Sequence, residues 1–317
     1  MAAVRLKYTL SALAVLFLAA GFFTSAFLPE KGSTSPPAAK ISLETKDENF
    51  AHKRIISLAP SITEVLFSLG AGGRVVGITR YCDFPPETAG IEKVGGYFDI
   101  NYEAILAMEP DIVILLTEHG EPGTYLSGLG IQVMSVDHSS VGGIIDSIRA
   151  IGRVMEVETA AAELVADLEK RVERISMATR EKSRPRVMVA IGRGMDRGSI
   201  GAVYISGRDG FYDELITLAG GKNAYQDKTL KFPALSVEGV VRLNPEVIVE
   251  MLPDAKEAER VAQITEKWRS IPSVDAIEKE RLHIFVEDFV VVPGPRFILL
   301  LEKMAKVLHP EIDWEAM

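Results

Sequence analysis

The strongest constraint on how this chain folds is that it repeats itself. The run Asn101-Tyr102-Glu103-Ala104-Ile105-Leu106-Ala107-Met108-Glu109-Pro110-Asp111-Ile112-Val113-Ile114 is matched by Ser236-Val237-Glu238-Gly239-Val240-Val241-Arg242-Leu243-Asn244-Pro245-Glu246-Val247-Ile248-Val249. In both copies a glutamate, Glu103 or Glu238, stands seven positions before a proline. Each copy reads as a short amphipathic helix opened by a capping residue, stopped ahead of proline and followed by an apolar β-branched strand. Such near-continuous apolar strands suit a parallel sheet covered on both faces.

Other landmarks recur in the same order. Arg54-Ile55-Ile56-Ser57-Leu58 and Arg186-Val187-Met188-Val189-Ala190 read as first strands, and helical stretches stop at Leu69-Gly70-Ala71-Gly72-Gly73 and Leu218-Ala219-Gly220-Gly221. Glycine at those stops is a helix C-terminal signal. Strand-like runs at Ile131 to Asp137 and Leu282 to Asp288 complete an α/β alternation in each half.

Between the halves, Met155 to Glu181 carries Ala161, Leu164, Val165, Leu168, Val172 and Ile175 at helical spacing, with no glycine or proline before Pro185. A helix of roughly 25 residues would span ~37 Å and brace both halves. The expected fold class is therefore α/β, with two Rossmann-like lobes joined by one long rigid helix. The expected boundaries are 54–154 for the N-terminal lobe, 155–184 for the linking helix and 185–317 for the C-terminal lobe.

Ahead of the lobes, Arg5 and Lys7 precede an uncharged apolar stretch from Leu10 to Leu28, with Thr24, Ser25 and Ala26 near its end. Residues 1–28 read as an export signal. The stretch is also about long enough (~20 residues) to stay in a bilayer as an anchor. Residues 29–53, rich in Pro, Ser, Lys and Glu, read as a disordered tether. The protein is thus expected in the periplasm or on the extracytoplasmic face. N-terminal lipidation would need a cysteine just after the apolar run, and the sole cysteine is Cys82.

Charge and composition narrow the function. A formal charge of −9 without any long basic run argues against nucleic acid as a partner. One cysteine allows no intrachain disulfide and no cysteine metal cluster. His52, His119, His138, His283 and His309 are scattered without the spacing of a helical zinc site. Neither a P-loop nor a G-x-S-x-G elbow is present, and no cofactor or catalytic group is expected.

Three further stretches, Arg54 to Glu64, Tyr81-Cys82-Asp83-Phe84-Pro85-Pro86 and Val94-Gly95-Gly96-Tyr97, together with the two-lobe pattern, carry a resemblance. From about Arg54 to Pro310 the chain resembles the helical-backbone class of periplasmic substrate-binding proteins of ABC importers, the cobalamin, ferric siderophore and haem type. The resemblance implies a monomer that captures a bulky metal chelate, a corrinoid first and a ferric siderophore or haem second. It also implies delivery to an ABC permease dimer with its cytoplasmic ATPase, Glu103 and Glu238 being the positions that match the family's docking glutamates. By itself, either glutamate is an ordinary acid in a helix's first turn; the pairing across the repeat favours docking.

In open α/β lobes, ligands bind beyond the carboxyl ends of the strands, here the loops where the two halves face each other. Six residues before each paired glutamate stands an aromatic, Tyr97 or Phe232, suited to the face of a macrocycle. By resemblance, Tyr81, Asp288 and Phe289 match ligand-contacting positions of cobalamin-binding relatives. Those relatives carry an arginine in the last loop where this sequence reads Val290-Val291-Val292-Pro293-Gly294-Pro295-Arg296, so Arg296 either replaces it or packs as ordinary loop. Arg193 and Arg197, after the second lobe's first strand, are placed either to hold carboxylates or catecholates of a ligand or as solvated surface. Ser61 and Glu64 form an S-x-x-E capping box and are expected to start a helix. The competing class is an exported metalloenzyme or chelatase-like protein using His119, His138 or His283 on the same scaffold.

Overall fold

The computed structural model describes residues 54–194, 201–253, 255 and 257–316. The export segment 1–28, the tether 29–53 and Arg197 lie outside them. The chain divides into two compact units between Asp167 and Leu168.

In the first unit the strands are β1 (Ile55–Ser57), β2 (Val75–Ile78), β3 (Glu92–Lys93), β4 (Ile112–Leu116) and β5 (Gln132–Val136). They form one sheet in the order β3-β2-β1-β4-β5, with every pairing parallel. Its helices are α1 (Pro60–Ser68), α2 (Tyr102–Ala107), α3 (Gly120–Gly128) and α4 (Val141–Val154). Ile56, Leu58, Ile105, Val113, Leu115 and Leu126 bury against one another between sheet and helices. Strands β1 and β4 are wholly buried, as their apolar runs require.

Helix α5 (Glu158–Thr179) follows, shorter than the expected 155–184. Met155 donates to Ile151 O and closes α4, and Glu156 turns left-handed at φ 53°, so the new helix begins three residues later than its apolar spacing suggested. Ala161, Val165, Leu168 and Ile175 form its buried stripe. No described helix is long and apolar enough to cross a membrane.

The second unit holds β6 (Arg186–Arg193), β7 (Val203–Ile205), β8 (Lys222–Asn223), β9 (Ala234–Leu235), β10 (Val247–Met251) and β11 (Leu282–Phe285). Its helices are α6 (Phe211–Leu218), α7 (Val237–Leu243), α8 (Ala258–Arg269), α9 (Asp275–Glu278) and α10 (Phe297–Leu308). The sheet order is β11-β10-β6-β7-β9, with β8 also pairing β6. Here the parallel expectation needs correction, because β6–β7 and β7–β9 are antiparallel. Strands of three and two residues are too short for their periodicity to be read from sequence.

The repeat extends to hydrogen bonds. Arg54 N–H donates to the Asp111 carboxylate at 2.6 Å and its side chain reaches Met108 O at the end of α2. Arg186 N–H likewise donates to the Glu246 carboxylate at 2.8 Å and its side chain reaches Leu243 O at the end of α7. Each arginine thus caps the helix that precedes its neighbouring strand. Gly70 at φ 74° and Gly220 at φ 79° end α1 and α6 in matching left-handed turns.

Candidate functional site: the carboxyl-end loops

In the first unit, parallel pairing puts the ends of β1, β2, β3, β4 and β5 at one edge, where Ser57, Ile78 and Ile114 are in register. Out of β2 come Arg80 and Tyr81; out of β3, Tyr97 and Phe98; out of β4, His119; out of β5, His138. Arg80 pairs with Asp99 and lies 5.9 Å from the Tyr81 ring centroid, fixing that half-buried ring on the rim.

Tyr97 sits lower than a rim residue would. It is only 9% exposed, while its neighbour Phe98 is 62% exposed and meets it edge-on at 5.0 Å. The Tyr97 ring lies 4.2 Å from that of His119, centroid to centroid. The Tyr97 hydroxyl and both His119 ring nitrogens are buried and have no hydrogen-bond partner. Burial lowers the His119 pKa from 6.5 to about 4, so the imidazole is neutral at physiological pH.

Beneath the loops runs a satisfied polar layer. The Ser147 hydroxyl donates to Ile144 O at 2.7 Å, so it accepts from His138 Nε2 at 2.6 Å, leaving Nδ1 to accept from the Ser61 hydroxyl at 2.8 Å. The expected capping box is therefore corrected. Ala59 is the N-cap of α1, Pro60 starts the helix, and Ser61 and Glu64 are each 2% exposed. Proline at the first helical position starts the helix by its fixed φ, which turns Ser61 inward. Cys82 is buried between the Thr63 and Thr79 hydroxyls at 3.2 and 3.1 Å, and burial pushes its thiol pKa up.

In the second unit three of the expected residues come together. Arg296 Nη1 donates to both Asp288 oxygens at 3.0 Å, and its guanidinium lies 5.7 Å from the Phe289 centroid. Tyr212 donates to Val290 O at 2.8 Å and ties that loop to α6. Arg193, the last residue of β6, makes a different pair. It binds Glu250, which is 1% exposed in β10 and also accepts from Trp268 Nε1 at 2.6 Å. Phe232 is 37% exposed on the segment leading into β9, which is held by Ile205 N–H to Pro233 O at 3.0 Å and Gly207 N–H to Lys231 O at 2.7 Å.

Glu103 and Glu238 are exposed in the first turns of α2 and α7, each beside a side chain that caps its helix, Asn101 or Ser236. The Ser236 hydroxyl, then the backbone, hold the Glu238 carboxyl below the usual range. Phe98, Glu250 and Trp268 were missed as site residues, and His119 was considered only for the competing metalloenzyme class. A lone acid inside the apolar strand Val247–Met251 was a readable signal for Glu250; nothing local marks Trp268.

Two α/β units whose strand-end loops carry exposed aromatics and paired arginines define a small-molecule binding protein. A model of the family described as periplasmic binding protein matches residues 55–282. An ABC transporter substrate-binding lipoprotein of Bacillus subtilis (strain 168) is 30% identical over 268 residues, covering 82% of this chain and 81% of the relative. The vitamin B12-binding protein of Salmonella choleraesuis (strain SC-B67) is 27% identical over 261 residues, covering 82% and 91%. Among solved structures, a periplasmic heme-binding protein from Roseiflexus sp. RS-1 in apo form has a TM-score of 0.69 at 26% identity, covering 81% of this chain and 98% of that one. The periplasmic vitamin B12-binding protein of Vibrio cholerae aligns at a TM-score of 0.70 and 22% identity, covering 82% and 98%. The chain belongs to the periplasmic binding protein family, which places it outside the cytoplasm.

Proposed function

We propose that the chain is the substrate-binding subunit of an ABC importer, that it captures a bulky metal chelate, a corrinoid first and a ferric siderophore or haem second, and that it releases the ligand unchanged. The observation that carries this reading is the concentration of aromatic and paired-arginine side chains in the strand-end loops: Tyr81, Tyr97 and Phe98 in one unit, Phe232, Phe289 and Arg296 in the other. Rigid aromatic faces bury much apolar area at small entropic cost. Relatives named for vitamin B12 and heme support the ligand class.

The protein acts as a monomer and docks on a permease dimer bearing a cytoplasmic ATPase, through Glu103 and Glu238. Export by the N-terminal segment fits that role. The Bacillus relative is a lipoprotein; in this sequence the one cysteine, Cys82, is 0% exposed inside the fold.

Titration of the full chain with cyanocobalamin, diaquocobinamide and haemin tests this reading. Trp268 reports on the second unit, since its indole shares Glu250 with Arg193. Saturable one-to-one binding with the ligand recovered intact is expected. Chemical conversion of the ligand, or no binding of any of the three, overturns it.

A further inference from the structure

The last loop of the second unit, which follows β11, contains a turn that holds itself poorly. Across Asp288–Val291 its own backbone bonds are long, Val290 N–H to Glu287 O at 3.3 Å and Val292 N–H to Phe289 O at 3.2 Å. At its edges Glu287 pairs with Lys303, and Asp288, 54% exposed, pairs with Arg296. Both pairs reach solvent, where ion pairs hold only weakly. The bond underneath has a different character. The Tyr212 hydroxyl donates to Val290 O at 2.8 Å, with Tyr212 only 8% and Val290 0% exposed. Burial raises the pKa of this phenol, so it stays protonated and remains a donor at physiological pH.

The phenol is itself held from the sheet. Asn223, buried at the end of β8, directs its Nδ2 hydrogens at Ser206 O, Gly207 O and the Asp213 carboxylate, at 3.3, 3.0 and 3.0 Å. The other Asp213 oxygen accepts from Asp209 N–H at 2.9 Å and fixes the first turn of α6. Tyr212 stands in that turn, its ring edge-on to Phe211 at 5.1 Å. A continuous line therefore runs from β8 through Asn223, Asp213 and the Tyr212 phenol to the backbone beside Phe289. Resting on the chelate-binding reading above, we infer that Tyr212 is a positioning residue: its phenol, without touching the ligand, sets the turn that presents the Phe289 ring to the chelate. A turn already in place loses little entropy when the ligand arrives. A loosened one loses more, and the bound ligand leaves sooner.

The test combines Tyr212→Phe, which keeps the ring and removes only the hydroxyl, with Phe289→Ala in a double-mutant cycle on the full chain. Cyanocobalamin, diaquocobinamide and haemin are the probes. Tyr212→Phe should weaken whichever probe binds by about fivefold, as expected for one lost hydrogen bond, chiefly through faster dissociation. In the Phe289→Ala background the same change should alter affinity by less than about twofold, because the ring it positions is gone. A merely structural tyrosine gives equal losses in both backgrounds, or none, and either result overturns the inference. Hydrogen exchange at the Val290 and Val292 amides reads the turn without ligand and should quicken in Tyr212→Phe; unchanged protection there also overturns it. Circular dichroism separates lost positioning from lost folding. Should Tyr212→Phe not fold, Asp213→Asn decides: it removes one anchor of α6, leaves the phenol in place, and should weaken the same probe only when Phe289 is present. Failure of all three probes to bind the unaltered chain removes the chelate reading and the inference with it, whereas binding indifferent to Tyr212 removes the inference alone.

Discussion

Glu250 shows how one side chain organises the middle of a sheet. It is buried in β10, and its two oxygens are divided between the Arg193 guanidinium and the Trp268 indole. Removing the carboxylate strands a buried guanidinium, which typically costs about 3–5 kcal/mol, whereas removing both charges together costs far less. Glu250→Ala should therefore lower the urea midpoint sharply, and Arg193→Met combined with Glu250→Met should recover most of the loss. His119 carries a different signature. Its folded pKa, about 4, lies below the 6.5 of the free side chain, so between these values the unfolded chain binds more protons. Stability is then full above about pH 6.5 and falls as pH drops towards 4, by at most about 1.4 kcal/mol per pH unit from this residue. His283, its pKa lowered by burial and then by Arg281, acts with the same sign, so the diagnostic quantity is a difference. His119→Phe should flatten the urea-derived stability profile between pH 4 and 6.5 relative to the unaltered chain. Sequence exposed the odd acid in an apolar strand, but Ser61 and His138, 77 positions apart, meet only in the fold.

At the scale of elements, the two copies of the helix–proline–strand repeat share a backbone and differ in what their side chains do with it. Glu109 at φ 44° and Asn244 at φ 42° both turn left-handed directly before proline. Asparagine tolerates that conformation better than glutamate does. The exposed Glu109 gains nothing visible in return, whereas Asn244 accepts from Asp275 N–H at 2.8 Å and donates to the Asp275 carboxylate at 3.2 Å. Glu109→Gly should raise stability by about 0.5–1 kcal/mol, while Asn244→Gly should lower it by about 1 kcal/mol through the lost bonds. Thermal melts of the two variants check the opposite signs. The helix stops, the paired prolines and the buried strands were all legible, because each follows from local chemistry: glycine at a left-handed stop, proline ending a helix, β-branched runs in a covered sheet. The β6–β7–β9 antiparallel edge was not legible, since its order comes from pairings between short segments. Pro60 hid the true start of α1 by moving it one residue ahead of the apparent capping box.

For the whole molecule, the proposed docking asks the two units to present matched surfaces to one partner, and the repeat supplies one exposed acid in each. Glu103 and Glu238 occupy the same turn of equivalent helices, and in each the N-cap side chain, Asn101 or Ser236, accepts from a backbone N–H of the first turn. Neither is buried, so reversing the charge leaves the cores untouched and costs folding little. The neighbourhoods differ: Arg80, Lys93, Tyr102 and Tyr125 line an open depression beside Glu103, with Tyr102 and Tyr125 edge-on at 4.7 Å. If both acids meet cations on a permease, Glu103→Arg or Glu238→Arg alone weakens docking, and the double variant replaces two attractions with two like-charge contacts. Uptake measured in cells carrying the cognate permease should fall in each single variant and be abolished in the double. Ligand affinity in solution should stay within about twofold, as expected for surface changes away from the bound chelate. Undiminished uptake by the double variant would remove these glutamates from the docking surface, whereas a loss of ligand affinity would move them into the binding site.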